Sequence, residues 1–165
     1  MKNKLLVGIG IVAVLVIMGF MVFDKPTSSP ETPPADFNFV FRYGVGAKNE
    51  LNTFSGTYTK DMVMDPSITT SLILSESERA TIYQKINEIG LLKNDIVPNK
   101  GNIYVTPCSN YSLKVRANNI EKEISWDNCR GEINEKLQEL TDHIISVIQS
   151  NEAYKNLPAA KGGYM

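Results

Sequence analysis

The amino-acid sequence predicts an α+β domain that follows an N-terminal transmembrane helix. Three observations support this prediction. An apolar run covers residues 5–23, several later segments alternate apolar and polar side chains, and two segments carry apolar side chains at helical spacing. After residue 36 we expect the order β-β-β-α-β-β-α, which gives an antiparallel sheet with both helices packed on one face.

The apolar run of residues 5–23 contains no charged side chain and follows Lys2 and Lys4. As a helix rising ~1.5 Å per residue, it nearly matches the ~30 Å hydrocarbon core of a bilayer. A cleaved secretory signal is the alternative, but the run is long and ends in bulky residues. The sequence therefore favours an uncleaved signal-anchor, with residues 1–4 in the cytoplasm and the later chain outside the cell membrane.

Residues 24–36, DKPTSSPETPPAD, contain four prolines among Ser, Thr and acidic residues. This composition predicts an extended, semi-rigid linker. The remaining chain is expected to form one extracytoplasmic domain over residues 37–157, followed by a tail over residues 158–165. Leu157 and Tyr164 could dock on that domain, although nothing in the sequence requires it.

Three strands are expected at the start of the domain. In the first, five alternate apolar residues mark a half-buried strand; they are Phe37, Phe39, Phe41, Tyr43 and Val45. The second is predicted over residues 51–60 with Gly56 as a bulge, and the third over residues 68–74. Polar turns between them predict an antiparallel meander.

A helix over residues 76–89 is predicted next. Ser75 and Glu78 have the spacing of a capping box, and Gly90 supplies a left-handed stop. Residues 93–107 are expected to be irregular, either as a recognition loop or, as we favour, as an ordinary surface connection.

A second, long amphipathic helix is expected near the C-terminus. Its apolar stripe begins at Ile133 and ends at Ile148. His143, the one histidine of the chain, borders this stripe, and a structural role is favoured for it over a catalytic one.

A hairpin between Cys108 and Cys129 can be predicted to the residue. Asn118-Asn119 suits a two-residue turn, because asparagine tolerates positive φ. Pairing Ala117 with Ile120 then places opposite charges face to face on one side and apolar residues on the other. The same register brings the two cysteines opposite each other, as a disulfide requires. A reactive thiol or a metal site is the alternative, but no histidine lies near.

The composition excludes several classes of function. The chain has 17 basic and 18 acidic residues; without Lys2 and Lys4, the exported part has 15 against 18, a net charge of −3. No basic stripe exists, so we expect no nucleic-acid partner. With one histidine and two cysteines we also expect no metal and no cofactor. Asn110-Tyr111-Ser112 matches a glycosylation acceptor, but its strand setting favours a chance match.

Asp61 and Asp65 form the one acidic pair that could carry chemistry. They flank a turn, where two carboxylates could bind Ca²⁺ or act in acid–base catalysis. Two ligands are too few for Ca²⁺, and Lys60 is available as an ion-pair partner. Turn and cap roles are therefore favoured for both residues.

Three further segments are distinctive: residues 53–63, the Leu74-Ser75-x-x-Glu78 motif with Ile82-Tyr83, and the ending from Leu157-Pro158 to Gly162-Gly163-Tyr164. Together they resemble a group of uncharacterised, membrane-anchored or exported bacterial and archaeal proteins. This resemblance implies export and no particular activity. A fainter similarity, in the order of elements only, is to small bacterial protein inhibitors of metalloproteases, and it transfers no residue.

The leading hypothesis is a single-pass membrane protein that presents a non-catalytic, outward-facing domain to another protein or an envelope component. It rests on the anchor, the linker, the disulfide-linked hairpin and the lack of catalytic groups. A hydrolase using Asp61 or Asp65 is the second hypothesis, and a structural component of the cell envelope is the third.

Overall fold

The computed structural model of this chain describes residues 31–104 and 106–164. Within these residues the protein is α+β, with an antiparallel sheet and helices, which confirms the predicted class. The expected transmembrane segment, residues 5–23, lies outside the described part, as do residues 1–4 and 24–30. No helix of the described part is long and apolar enough to cross a membrane.

Eight strands occur in the described part. Their bounds are Asn38–Tyr43 (β1), Asn49–Asn52 (β2), Thr57–Met62 (β3), Asp65–Ser71 (β4), Asn99–Tyr104 (β5), Asn110–Ala117 (β6), Ile120–Asp127 (β7) and Arg130–Ile133 (β8). Six of them form one antiparallel sheet in the order β4-β3-β2-β1-β6-β7, and β5 pairs with β8 in a separate ribbon. The pairing of β1 with β6 joins the N-terminal meander to the later hairpin.

The predicted second strand, residues 51–60, is instead a hairpin of β2 and β3. Its turn covers residues 53–56, where the Asn52 side-chain oxygen accepts hydrogen bonds from two backbone N–H groups. Gly56 has φ 64°, so it supplies the left-handed conformation of this turn rather than a bulge within a strand. The prediction was wrong here because β-type residues continue on both sides of the turn.

The segment over residues 93–107 was expected to be irregular, but it contains β5. This strand pairs with β8, and Gly131 of β8 makes the close approach possible. Gly131 has φ 81°, and a Cβ atom on it would lie 2.2 Å from the carbonyl oxygen of Lys100. The two strands are far apart in sequence, so no local pattern indicates their pairing.

The first helix, α1, covers Glu76–Ile89, as predicted. Ser75 and Glu78 form the expected capping box, and Gly90 ends the helix at φ 74°. This helix starts directly after the main sheet's edge strand, which brings its buried side against the sheet.

Two further helices follow β8. They are α2, Glu135–Ser150, which begins at the N-cap residue Asn134, and the short α3, Glu152–Lys155. Buried side chains of both long helices share one core with the sheet. The core includes Ile82 and Ile86 of α1, Leu137, Leu140 and Ile144 of α2, Phe39, Phe41 and Leu113 of the sheet, and Phe37 just before β1. Burying these apolar side chains is the main favourable contribution to folding.

The hairpin of β6 and β7 has the predicted register. Ala117 pairs with Ile120, and all eight residue pairs follow from it. Asn118 and Asn119 have φ 52° and 61°, as the two-residue turn requires. Cys108 and Cys129 lie opposite each other beyond the last pair, at disulfide distance with their Cα atoms 5.2 Å apart.

Candidate functional site

Asp61 and Asp65, the two acidic candidates, flank the turn between β3 and β4. Asp61 lies near the end of β3, and Asp65 begins β4. The expected ion pair of Lys60 is absent from the described contacts. Instead, the Lys60 ammonium donates a hydrogen bond to the carbonyl oxygen of Pro158 at 2.8 Å and lies over the ring of Tyr154. Lys60 therefore contacts the C-terminal part of the chain and not a neighbouring carboxylate.

The Asp61 carboxylate has two different partners. One oxygen accepts a hydrogen bond from the backbone N–H of Val63 at 3.1 Å, which is the turn role expected from the sequence. The other oxygen accepts the hydroxyl proton of Tyr164 at 2.5 Å. The Lys48 ammonium donates to the same phenol oxygen at 2.9 Å and also lies over the Tyr164 ring. This hydrogen bond raises the pKa of Lys48.

Asp65 binds the tail at a second point. Its carboxylate lies 3.3 Å from the ammonium of Lys161. Lys161 also forms a parallel β-bridge with Val63, in the turn between β3 and β4. Side-chain and main-chain contacts therefore hold the same tail residue.

Gly162 passes close to the side chain of Met64. It has φ 81°, and a Cβ atom there would lie 2.7 Å from the Met64 sulfur. The next residue, Gly163, has no atom within 4 Å of its equivalent position. The positive φ therefore favours glycine at position 162, and a Cβ atom there would displace the Met64 side chain, whereas position 163 tolerates a larger residue.

These contacts define one binding site, which we call the tail site. It comprises Lys48, Lys60, Asp61, Val63, Met64 and Asp65, and it holds residues 158–164 of the tail. Residues 158–163 are exposed, and only Tyr164 is half-buried. Polar contacts therefore contribute most to holding the tail, and an exposed ion pair such as that of Asp65 contributes about 0–1 kcal/mol.

A hydrogen-bonded network beneath the tail site fixes the backbone of Asp61. The Asn49 side-chain oxygen accepts a hydrogen bond from the Asp61 N–H at 3.0 Å and another from the Tyr58 hydroxyl at 3.4 Å. The hydroxyls of Tyr58 and Tyr43 are 2.7 Å apart. Burial raises the pKa of Tyr43 to about 12 and raises the pKa of Tyr58 as well, so both phenols are neutral at physiological pH. Neutral phenols can donate the protons that this network needs.

The turn that presents Val63 and Met64 is strained. Val63 has φ 63°, and the N–H of Met64 donates to the carbonyl of Met62 at 2.8 Å, as in a γ-turn. A β-branched residue rarely adopts positive φ, and such conformations cost on the order of 1–3 kcal/mol. The register of β3 against β4 also shifts between Lys60 and Met62.

A second concave surface lies near the disulfide. A cavity of about 470 Å³ is lined by Tyr111, Trp126, Asn99, Asp127 and other residues of the β6–β7 end. Its polar groups are mostly engaged within the protein: the Asn99 side chain bonds both backbone groups of Asp127. The indole N–H of Trp126 is buried and has no hydrogen-bond partner among the described residues.

Each of the two carboxylates binds a residue of the tail, Asp61 through Tyr164 and Asp65 through Lys161. No group of three or more potential metal-binding side chains occurs within residues 31–104 and 106–164. His143 lies 3.0 Å from the hydroxyl of Thr81, and burial lowers its pKa. These contacts place His143 in the packing between α1 and α2.

Sequence reasoning found part of the tail site and missed the rest. It identified Asp61 and Asp65, and it named Tyr164 as a residue that could dock. It did not identify Lys48, Lys161 or Gly162. The available signal was the Lys-Gly-Gly-Tyr segment itself, a cation and an aromatic residue separated by two glycines.

No protein-family model matches this chain, and no curated protein matches it. The geometry of the described residues therefore carries the functional argument.

Proposed function

We propose that this chain is a single-pass membrane protein that presents a non-catalytic binding domain outside the cell membrane, with a polypeptide as its partner. Residues 5–23 would be the anchor, and residues 24–30 would separate it from the described part. The N-terminus would lie in the cytoplasm.

The observation that carries this proposal is the occupied tail site. An exposed segment of chain lies beside β3 and β4, held through a main-chain bridge at Lys161 and through side chains that contact Pro158, Lys161 and Tyr164. Recognition of a peptide by a folded domain commonly combines main-chain contacts with a few side-chain contacts. The tail site thus has the features of a peptide-binding surface.

A binding role suits the two acidic residues better than hydrolysis does. A general acid or base needs a carboxylate within reach of a substrate. Here one Asp61 oxygen binds the backbone of the turn, the other binds Tyr164, and Asp65 pairs with Lys161. We therefore do not propose the hydrolase.

The linker supports a position close to the membrane. Glu31 accepts a hydrogen bond from the Asn87 side chain at 2.9 Å, and the Asp36 carboxylate accepts two from the turn of the β6–β7 hairpin. Glu31 and Asp36, in the C-terminal half of the predicted linker, thus contact the domain. Residues 24–30 can span at most about 25 Å, which limits the distance between Glu31 and the proposed anchor.

Crosslinking from within the tail site tests this proposal. In the full-length chain in native membranes, a photoactivatable residue replaces Met64, which is 77% exposed. The control places it at Ile73, which is 75% exposed and lies outside the tail site. We expect a discrete crosslinked polypeptide from position 64 only. Equal patterns at both positions, or none at position 64, would contradict the proposal.

Protease accessibility tests the topology separately. Protease added to intact cells should remove an epitope placed after residue 165, while an epitope before residue 1 should survive. A protected C-terminal epitope, with accessibility restored by permeabilising the cells, would refute the outward orientation.

A further inference from the structure

We infer that the partner supplies a segment containing Lys-Gly-x-Tyr, and that the protein's own C-terminal tail occupies the tail site as an intramolecular copy of this ligand. The inference rests on the proposed function for the existence of a partner. The chemistry of the ligand comes from the contacts of the tail itself.

Three residues of the tail, Lys161, Gly162 and Tyr164, contact different residues of the tail site. Asp65 binds the Lys161 ammonium at 3.3 Å. The φ of 81° at position 162 favours glycine, and a Cβ atom there would also displace the Met64 side chain. Asp61 and Lys48 hold the phenol oxygen of Tyr164 from two sides.

A cation, a glycine and a phenol at these spacings therefore define a ligand. Position 163 meets no protein atom at its Cβ and is open to any residue. The parallel bridge between Val63 and Lys161 fixes the direction in which the segment lies. A segment in the opposite direction would place its lysine and tyrosine at the wrong carboxylates.

The tail can leave the tail site without loss of the core. Residues 158–163 are exposed, and none of them belongs to the buried cluster. Leu157, by contrast, packs against that cluster and would keep the chain attached up to this residue. The removable part therefore begins at Pro158.

The tail competes with any external segment, because it is tethered beside the site. A binding site that is occupied part of the time lowers the apparent affinity for a second ligand by the fraction that is open. A partner must therefore displace the tail, either because its segment has a higher affinity for the tail site or because it makes additional contacts elsewhere on the domain.

Peptide binding to the purified full-length chain in detergent tests the inference. The probe is a fluorescent peptide with the sequence of residues 158–165, PAAKGGYM, and its binding is followed by anisotropy. We compare the intact chain with a variant that ends at Leu157. The truncated chain should bind the peptide roughly tenfold more tightly than the intact chain does, because the competing tail has gone.

Two altered peptides provide matched controls. Alanine in place of Gly162 should weaken binding roughly 5–30-fold, since an L-residue resists the left-handed conformation and meets Met64. Alanine in place of Gly163 should leave binding within about twofold. Asp65→Asn in the truncated chain should weaken binding of the unaltered peptide. It should have a smaller effect on a third peptide, with alanine in place of Lys161, because that peptide lacks the ammonium that Asp65 binds.

A second, full-length variant keeps the experiment interpretable if the truncated chain misfolds. The intact chain with Lys161→Ala and Tyr164→Ala keeps its full length but loses two tail contacts, and it too should bind the peptide more tightly than the wild type. If neither variant gains affinity, or if the two alanine peptides bind equally, the inference is wrong. Crosslinking from Met64 to a polypeptide without this motif would retain the proposed function and reject only the ligand assigned here.

Discussion

The substitution Gly162→Ala should release the C-terminal tail, whereas Gly163→Ala should not. Gly162 has φ 81°, and its added Cβ atom would lie 2.7 Å from the Met64 sulfur and 3.0 Å from Met64 Cγ. Gly163 does not have a positive φ, and a Cβ atom added there would have no neighbouring atom within 4 Å. The two substitutions add the same methyl group to adjacent residues, so their comparison isolates the geometry of position 162.

The magnitude follows from the backbone conformation. An L-residue in the left-handed region costs roughly 1–2 kcal/mol more than one in the ordinary helical region. The Met64 side chain is flexible and can move, so the contact with sulfur adds less than a rigid clash would. A penalty of 1–2 kcal/mol on the bound tail reduces the ratio of bound to released tail roughly 5–30-fold.

Hydrogen exchange followed by mass spectrometry measures this ratio in the intact chain. The C-terminal peptide beginning at residue 158 reports the tail, and a peptide from β1 reports the core. We expect the protection of the tail to fall about 5–30-fold in Gly162→Ala, with the core unchanged. Gly163→Ala should match the wild type after correction for intrinsic exchange rates. Equal hydrogen-exchange protection of the tail in both variants would refute the conclusion that binding of the tail depends on glycine at position 162.

Three further predictions concern stability, each measured as the free energy of unfolding in urea. Replacing Cys108 and Cys129 by serine should lower it by about 3 kcal/mol, because the disulfide closes a loop across a sequence separation of 21 residues. Asp36→Asn should destabilise the protein at neutral pH, since hydrogen bonds from two backbone N–H groups lower the pKa of Asp36 below 3.8. That contribution is complete above the unfolded-state value and is lost as the pH falls through the folded-state pKa, so the difference should vanish in strong acid. Val63→Gly should raise the stability by about 1 kcal/mol, because glycine has no Cβ atom and adopts positive φ without the strain of a β-branched residue.

Each of these predictions has its own control. Reducing agent added to the wild type should reproduce the loss caused by the serine variants. A difference between wild type and Asp36→Asn that persists unchanged at low pH would contradict the role of its carboxylate. Val63→Ile keeps the branched side chain, so it should remain as strained as the wild type, and an equal gain in both Val63 variants would argue against strain.

The hairpin of β6 and β7 shows how much a sequence can fix when the partners are local. The two-residue turn at Asn118 and Asn119 sets the register, and each strand residue then has one possible partner. Charge and size agree across the strands only in that register. The position of the cysteine pair follows from the same arithmetic, and the structure confirms it.

Elsewhere the sequence was ambiguous. The run from β2 through β3 contains strand-forming residues on both sides of a turn, and Gly56 fits either a bulge or that turn. The pairing of β5 with β8 depends on the close approach of Gly131 to Lys100, which joins distant segments. Such pairings depend on the fold already being in place, so a local pattern does not indicate them.

The amino-acid sequence by itself determined the α+β class, the capped helix α1, the register of the hairpin and the position of the cysteine pair. Each follows from interactions between residues close together in the chain, where spacing alone decides which side chains meet. Only the tertiary structure brought Lys48, Asp61 and Asp65 to Lys161 and Tyr164. These residues come from opposite ends of the domain, and the packing of β3, β4 and the C-terminal helices sets the distance between them.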